Sequence, residues 1–236
     1  MYVSIRPQSG HSTTVSTATC ATDIAEVAER WRTWTAHARP ELTTSLVIGH
    51  SHVAVHGCWV GARDAGRALV DAWRTWRTPH ADDWSDRAAG DLDAVNPGWL
   101  APTSRATQAM TCEWATALRD ELTDELIRLV AERLVGVVEV RLVGGAARMR
   151  SGDAANGYAR RDQYLVTLAD LRVPHAEARA PLAPWVTGAA YLDRTDPTER
   201  AARADDAVAP AQRARLAAVK AALDPSTRFR PCAPGG

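Results

Sequence analysis

A phenol, a carboxylate and a guanidinium lie close together near the C-terminal end of the chain, at Tyr191, Asp193 and Arg194. A phenolic hydroxyl donates and accepts hydrogen bonds, an ionised carboxylate only accepts them, and a guanidinium only donates and keeps its charge. The Tyr191 phenol could therefore hydrogen-bond a small molecule. The alternative for Tyr191 is a ring packed at the edge of the core, with its hydroxyl at water.

Similar side chains occur some thirty residues earlier. The run Tyr158-Ala159-Arg160-Arg161-Asp162 supplies a phenol and two guanidinium groups, and Tyr164 follows it closely. These side chains can form hydrogen bonds and ion pairs. Edge packing is again the alternative, and it applies above all to Tyr164.

The C-terminal part also carries an ordered motif. After Tyr191-Leu192-Asp193 come Arg215-Leu216, Lys220, Asp224-Pro225 and Phe229-Arg230. This order resembles the C-terminal signature of the berberine-bridge-enzyme-like FAD-linked oxidases, in which a Tyr-x-Asn strand precedes the same residues. Earlier segments resemble that family as well, namely Trp31 to Thr44, Gly57 to Gly61, Gly144-Gly145-Ala146 and Tyr158 to Asp162.

The resemblance implies a fold and a reaction. The expected fold class is α+β, an antiparallel sheet flanked by helices like the ferredoxin-like substrate domain of FAD-linked oxidases, with a C-terminal strand–helix tail. The implied reaction oxidises an alcohol, amine or phenolic small molecule with FAD as cofactor. It implies that Tyr191 is catalytic and contacts the cofactor together with Asp193. Arg161, Tyr158 and Tyr164 are then the substrate-binding residues.

The sequence departs from the family pattern in three places. Asp193 stands where the family usually has Asn, and Arg194 stands where many relatives place a Tyr base, a role that Arg cannot take. Upstream of Thr14 there is one glycine, and Gly144-Gly145-Ala146 lacks the spacing of a phosphate-binding loop. We therefore expect a separate FAD-binding domain to anchor the cofactor. The chain would then be part of a split protein, a truncated product, or the result of a miscalled start.

A serine hydrolase is a remote alternative. The run Gly49-His50-Ser51-His52-Val53 imitates a nucleophile elbow, but β-branched Val53 stands where that strained turn needs a very small residue. The residues that follow continue as a strand rather than opening a helix. Ser51 is better explained as a residue of a hairpin turn.

Two further alternatives concern metal and partners. His50, His52 and His56 share one parity and could hold zinc on a straight strand, but the turn predicted at Gly49 to His52 would break their alignment, so no metal site is expected. A non-catalytic interaction module of the same fold is the other reading, because a substrate half without its FAD domain would expose an apolar face.

Periodicity and turn residues place these motifs on elements. Strands are predicted at Thr14–Thr19, Leu42–Ile48, Val53–Val60, Val137–Val143 and Tyr164–Leu168, and helices at about 22–39, 65–76 and 113–134. The predicted division is an irregular N-terminus (1–13), a substrate-binding domain (14–171), a Pro- and Ala-rich linker (172–184) and a C-terminal segment (185–236).

Composition narrows the classes of function. The formal net charge is zero, which provides no electrostatic footprint for nucleic acid or an anionic membrane. The 4 Cys form no CxxC pair and indicate a reducing compartment. No signal peptide and no apolar run of about 20 residues is visible. We expect a cytoplasmic protein whose partners are a small-molecule substrate and either a separate FAD-binding domain or a second copy of itself.

Overall fold

An antiparallel sheet forms the centre of the structure, a computed structural model that describes residues 10–17, 21–79, 81–82, 85–87, 109–143, 163–208 and 210–229. Its strands are β1 (Gly10–Thr17), β2 (Leu42–Gly49), β3 (Val53–Val60), β4 (Ala81–Asp82), β5 (Ser85–Arg87), β6 (Met110–Ala115), β7 (Val135–Val143) and β8 (Gln163–Leu171). The spatial order is β4-β1-β3-β2-β7-β8-β6, and β5 pairs with β1. All these pairings are antiparallel.

Helices flank this sheet. They are α1 (Ala21–Thr35), α2 (Arg63–Trp76), α3 (Asp120–Ala131), α4 (His175–Arg179), α5 (Pro197–Ala202) and α6 (Pro210–Leu223). Short 3-10 turns lie at Ala180–Leu182, Leu192–Arg194 and Ala204–Asp206. The predicted α+β class with an antiparallel sheet and flanking helices is confirmed. Within the described ranges, no helix is both long enough and apolar enough to cross a membrane.

The main hydrophobic core lies on one face of the sheet, here called the helix face. Because successive strand residues point to opposite faces, Leu46 and Ile48 of β2 share this face with Val138 and Val140 of β7. Helix α1 covers it with residues at helical spacing, among them the fully buried Trp31. Helix α3 adds four buried residues, Leu122, Leu126, Leu129 and Val130.

The other face, here called the second face, is more polar. Its residues alternate with the core positions, so Val47 of β2, Glu139 of β7, Thr167 of β8 and Cys112 of β6 lie side by side in one row. Arg141 belongs to the next row of the same face. The alternation in Val-Glu-Val-Arg-Leu (138–142) therefore places both charged side chains of β7 on the second face.

The prediction of one long helix from Glu113 to Leu134 is wrong in its first part. Residues 110–115 form strand β6, which pairs with β8, and α3 begins only at Asp120. The buried residues of β6 alternate between the two faces, with Cys112 on the second face and Ala115 in the core. Leu118, which suggested an earlier helix start, lies in the turn between strand and helix and is buried there.

Residues 172–184, predicted as a linker, contain α4 and a 3-10 turn. Ala178 and Leu182 of this segment are fully buried in the core. The segment is therefore packed, although the proposed division of the chain into domains stays a prediction. The short strand expected from Trp185 is reduced to one bridge, between Val186 and Ala115 of β6.

Candidate functional site

The segment that carries Tyr191 is fastened to strand β6 through its backbone. Thr187 donates from its backbone N–H to the carbonyl of Trp114 over 2.7 Å, just before Gly188 turns the chain at a positive φ of 74°. The Tyr191 N–H then donates to Cys112 Sγ, and the Cys112 thiol donates to the Tyr191 carbonyl, each over 3.1 Å. These contacts hold Tyr191 beside the second face.

The Tyr191 ring packs edge-to-face on Trp114, with ring centroids 6.0 Å apart. Both belong to a small hydrophobic cluster on the second face with Cys112, Leu165 and Ala189. Burial raises the pKa of the Cys112 thiol to about 11, although the hydrogen bond with the Tyr191 backbone and the charge of Arg203 act in the opposite direction. The thiol therefore stays protonated near neutral pH and serves as a structural hydrogen-bonding group.

A carboxylate between two guanidinium groups lies on the same face. Arg141 contacts Glu139 Oε1 through Nε at 3.1 Å and Nη2 at 2.7 Å, and Arg194 Nη1 contacts Glu139 Oε2 at 3.1 Å. We call Glu139, Arg141 and Arg194 the arginine–glutamate cluster. Arg194 comes from the tail and Arg141 from β7, so the cluster joins the tail to the centre of the sheet.

Glu139 of this cluster is held in its ionised form. Burial by itself raises the pKa of the Glu139 carboxyl, but attraction by Arg141 and Arg194 and hydrogen bonds from Arg141 and Ser45 outweigh it, so the pKa is lowered. A carboxylate that is this well stabilised is a weak base. Glu139 is thus suited to orient the two Arg side chains rather than to remove a proton.

A second ionic group fixes the rest of the tail to the edge strand β6. We call Glu113, Arg179, Glu199 and Arg203 the tail clamp. Arg203 contacts Glu113 Oε1 at 2.8 Å and also donates to the carbonyls of Cys112 and Gly188, each at 2.8 Å. Arg179 bridges Glu113 and Glu199, and Glu199 accepts from the Thr111 hydroxyl.

The clamp is strengthened by a helix cap. Asp196 caps α5 by accepting from the backbone N–H groups of Thr198 and Glu199, at 2.9 and 3.1 Å. Its other oxygen accepts from the backbone N–H of Met110 at 2.8 Å and contacts His175 Nε2. The tail that carries Tyr191 and Arg194 is therefore anchored on both sides of these residues.

The structure brings some of the predicted site residues together and separates others. Tyr191 lies on the second face, and Asp193 lies exposed in the 3-10 turn beside Arg194. Tyr164 is on the helix face, where its ring packs against Trp31 with centroids 5.9 Å apart, as the packing alternative expects. Tyr158 and Arg161 lie outside the described residues. The functional roles of all five stay predictions.

Glu139 and Arg141 belong to none of the motifs that the sequence offers. The usable signal was their spacing, since two opposite charges two residues apart on a predicted strand must share one face. Ser45 of β2 stands directly opposite Arg141 in the register and belongs to the same site. Arg194 was identified only as a residue that cannot be a base.

The structure also places the residues of the two alternative sites, the hydrolase-like serine and the histidine group. Ser51 lies in the turn of the β2–β3 hairpin, and β3 follows it as an extended strand, as the hairpin prediction expects. His50 lies in the same turn, with its Nε2 at 3.0 Å from Arg133. Across the part of the chain that the structure describes, no group of three or more His, Cys, Asp or Glu residues is arranged to hold a metal ion.

A cleft of about 570 Å³ lies between α1 and α2, among Trp34, Trp73, Trp76, Glu26, Glu29 and Arg30. The guanidinium of Arg30 lies over the Trp73 and Trp76 rings, at 5.4 and 4.7 Å from their centroids. Trp34 and Trp73 meet edge-to-face. The aromatic rings of the cleft therefore pack on one another and on Arg30. For this reason the cleft is a weaker candidate for a ligand site than the second face.

The C-terminal motif forms a compact turn after α6. Asp224 accepts from the backbone N–H groups of Arg228 and Phe229, at 2.7 and 3.0 Å, and it pairs with Lys220. Lys220 also donates to the Phe229 carbonyl. The hydrogen bond from Lys220 lowers the pKa of Asp224. These contacts explain the spacing of Lys, Asp and Phe, and they hold Phe229 with 79% of its surface exposed.

Solved structures give the chain its place among known folds. It superimposes on BBE-like 1 of Physcomitrella patens with a TM-score of 0.69 at 15% identity, over 92% of this chain and 52% of that one. A berberine bridge enzyme variant gives a TM-score of 0.70 at 12% identity, over 92% of this chain and 53% of that one. The fold is that of the berberine bridge enzyme-like oxidases.

A related oxidase gives a similar result. The xylooligosaccharide oxidase of Myceliophthora thermophila, in complex with xylobiose, matches with a TM-score of 0.60 at 14% identity, over 93% of this chain and 54% of its own. The chain thus spans about half the length of the solved structures it matches. No protein-family model matches the chain. No curated protein matches it either.

Proposed function

We propose that the chain is the substrate-binding and C-terminal portion of an FAD-dependent oxidoreductase that oxidises an alcohol, amine or phenolic small molecule. The observation that carries this proposal is the second face, where Tyr191, Arg194 and the charged side chains of β7 come together in the fold of FAD-linked oxidases. The FAD-binding domain would come from another part of the same protein or from a separate chain.

The donors of the second face suit the ring end of a flavin better than its phosphates. Arg141 offers N–H donors on the same face of the sheet as the aromatic rings of Trp114 and Tyr191. Among the glycines of the described part, Gly188 alone has a positive φ, and it opens no helix. The described residues therefore provide no glycine loop for a pyrophosphate. A bound flavin would supply the acceptor for a hydride.

The residues of this chain would then have separate tasks. Tyr191 would hydrogen-bond the reacting oxygen or nitrogen of the substrate, and Asp193 would face the cofactor from the neighbouring turn. Arg194 is fixed by Glu139 and would hold a positive charge at the same place. Because the pKa of Glu139 is lowered, proton removal would fall to another group, and Tyr191 is the candidate.

Separate parts of the cofactor provide a test. Riboflavin carries the flavin ring without the pyrophosphate and adenosine, whereas AMP carries only the adenosine end. We expect riboflavin to bind saturably, followed by quenching of its fluorescence, and AMP to leave the protein unaffected. Arg194→Gln should weaken riboflavin binding at least fivefold, and Arg172→Gln, a change at an exposed residue, should not. Binding of AMP without binding of riboflavin would contradict the proposal.

A second candidate is a non-catalytic interaction module of the same fold. It is favoured by α6, a helix of 14 residues in which no residue is buried. Leu216, Val219 and Leu223 form an apolar stripe on this helix and are 41%, 46% and 81% exposed. Such a stripe would cover a partner, either the FAD-binding domain or a second copy. Light scattering gives the molar mass of the parent chain, of Leu223→Ser and of the control Arg215→Ser. A dimer that only Leu223→Ser disrupts would identify a second copy as the partner of the stripe.

A further inference from the structure

Arg141 occupies the centre of the second face and is oriented by a buried carboxylate. In the strand register it stands between Ser45 of β2 and Leu165 of β8. Two of its N–H groups point to a single atom, Glu139 Oε1. The Glu139 side chain is only 3% exposed, so it cannot swing away to follow a mobile Arg. The guanidinium is therefore held in a defined plane.

The remaining donors of Arg141 point away from this contact. A guanidinium has five N–H donors, and two are used by Glu139. Among the described residues, no other partner binds Arg141, and its side chain is 37% exposed. The free edge of the guanidinium thus reaches solvent in the geometry that matches a carboxylate with two parallel hydrogen bonds.

Aromatic side chains lie on the same face of the sheet as Arg141. Trp114 is in the same row of the second face, two strands away across Leu165, which corresponds to about 10 Å at the usual strand spacing. Tyr191 packs on Trp114. A molecule with a carboxylate at Arg141 and a hydroxyl at Tyr191 would span this gap with one aromatic ring and a hydrogen bond at each end.

We propose that Arg141 binds the carboxylate of the substrate, so that the substrate is a hydroxylated aromatic acid, with Glu139 as the positioning residue for the guanidinium. This inference rests on the proposed function, because it names the substrate class of the same site. It requires that a carboxylate be preferred over a neutral group of the same shape, and that the preference depend on Arg141.

The test compares 4-hydroxybenzoate with 4-hydroxybenzamide, its neutral counterpart, by calorimetric titration of the purified chain. We expect the benzoate to bind at least tenfold more tightly than the amide. Arg141→Gln should remove this preference, and Arg141→Lys should reduce it, because a lysine keeps the charge but loses the planar fork. Arg172→Gln, at an exposed residue paired with Asp170, is the matched control and should keep the preference.

A second variant covers the case in which Arg141→Gln does not fold. Thr43 is exposed on the second face of β2, diagonal to Arg141 and two residues from Ser45. Thr43→Glu should offer the guanidinium an internal carboxylate and weaken benzoate binding at least fivefold, whereas Thr43→Gln should not. Equal binding of benzoate and amide by the parent chain, no binding of benzoate, or a preference that survives Arg141→Gln would overturn the inference.

The outcome is separable from that of the proposed function. Riboflavin binding that depends on Arg194, together with no preference for benzoate, would leave the oxidoreductase proposal standing and remove only the substrate class. Benzoate binding without riboflavin binding would identify an acid-binding site and count against the flavin.

Discussion

Two buried carboxylates, Glu139 and Glu113, each contact two Arg side chains, yet their pKa values move in opposite directions. Burial raises the pKa of Glu113 and prevails over the attraction of Arg203 and Arg179, whereas at Glu139 the two Arg side chains prevail over burial. The difference lies in how the oxygens and the charges are shared. Both oxygens of Glu139 have an Arg partner, while Glu113 Oε2 is buried without one.

The ratio of charges differs as well. In the arginine–glutamate cluster, two Arg side chains serve one carboxylate. In the tail clamp, Arg179 and Arg203 are shared among Glu113, Glu199 and Asp206. The first arrangement leaves N–H donors of Arg141 for a ligand, and in the second the Arg side chains hold the tail. The same side chains thus give a candidate site in one place and a structural anchor in the other.

The largest expected effect is the loss of the clamp. Arg203→Met should lower the free energy of unfolding by about 3–5 kcal/mol, the usual cost of removing one partner of a buried ion pair. The reason is that Glu113 and the carbonyls of Cys112 and Gly188 lose a donor that is itself only 6% exposed. Urea unfolding measures this change. Arg172→Met is the control and should stay within about 0.5 kcal/mol of the parent, and a similarly small change for Arg203→Met would show that the clamp is unimportant.

A paired substitution sharpens the comparison between the two carboxylates. At pH 7, Glu139→Gln should lower the free energy of unfolding by about 3 kcal/mol, because Arg141 and Arg194 both lose a charged partner. Glu113→Gln should change it by less than about 1 kcal/mol, since burial already penalises the ionised form of this side chain. Urea unfolding of both variants tests the order. The reverse order would contradict the account of the two sites.

The pH dependence separates the same two groups. The pKa of Glu113 is raised. Its contribution to the free energy of unfolding is therefore fully present below the unfolded-state pKa of about 4.3 and is lost as the pH rises through the folded-state pKa. The pKa of Glu139 is lowered. Its contribution to the free energy of unfolding is therefore present above the unfolded-state pKa and is lost as the pH falls through the folded-state pKa. The free energy of unfolding, measured from pH 3 to pH 7, should rise for Glu113→Gln relative to the parent as the pH approaches 7. For Glu139→Gln the free energy of unfolding should instead approach that of the parent as the pH falls to 3.

The smallest expected effect on stability is that of Tyr191→Phe. Its backbone contacts with Cys112 remain, so the free energy of unfolding should change by less than about 1 kcal/mol. Binding should respond more strongly, with at least a threefold loss for 4-hydroxybenzoate and none for benzoate without the hydroxyl. Calorimetric titration of the two acids measures this. An equal loss for both acids would mean that Tyr191 contributes only its ring.

Much of the fold could be predicted because the patterns are local. The β2–β3 hairpin follows from two runs of β-branched and apolar residues joined by a short turn, and α1 follows from Ile24, Val27 and Trp31 at helical spacing. Strand β6 was missed because Leu118 and Leu122 extended the helical spacing of α3 backwards. Only its pairing with β8, more than 50 residues away, makes Cys112 and Trp114 part of a strand.

The candidate site was predicted less well, since it depends on contacts between distant segments. Tyr191 could be identified from the motif around it, but the approach of Arg194 to Glu139 spans 55 residues and leaves no local pattern. The resemblance groups Tyr164 with Tyr158 and Arg161 as substrate-binding residues, and the alternation of β8 places Tyr164 on the helix face. Its role in binding stays a prediction.

The most direct test of the central claim is to locate the ligand by the indole N–H signals of the 9 Trp residues. These signals would be recorded by NMR during titration with 4-hydroxybenzoate and riboflavin, and assigned with Trp114→Phe, Trp34→Phe and Trp73→Phe. The account predicts that the Trp114 signal shifts, since Tyr191 packs on its ring, while the signals of Trp34 and Trp73 in the α1–α2 cleft stay in place. Shifts of Trp34 and Trp73 with an unchanged Trp114 would contradict it, because the ligand would then occupy the cleft instead of the second face.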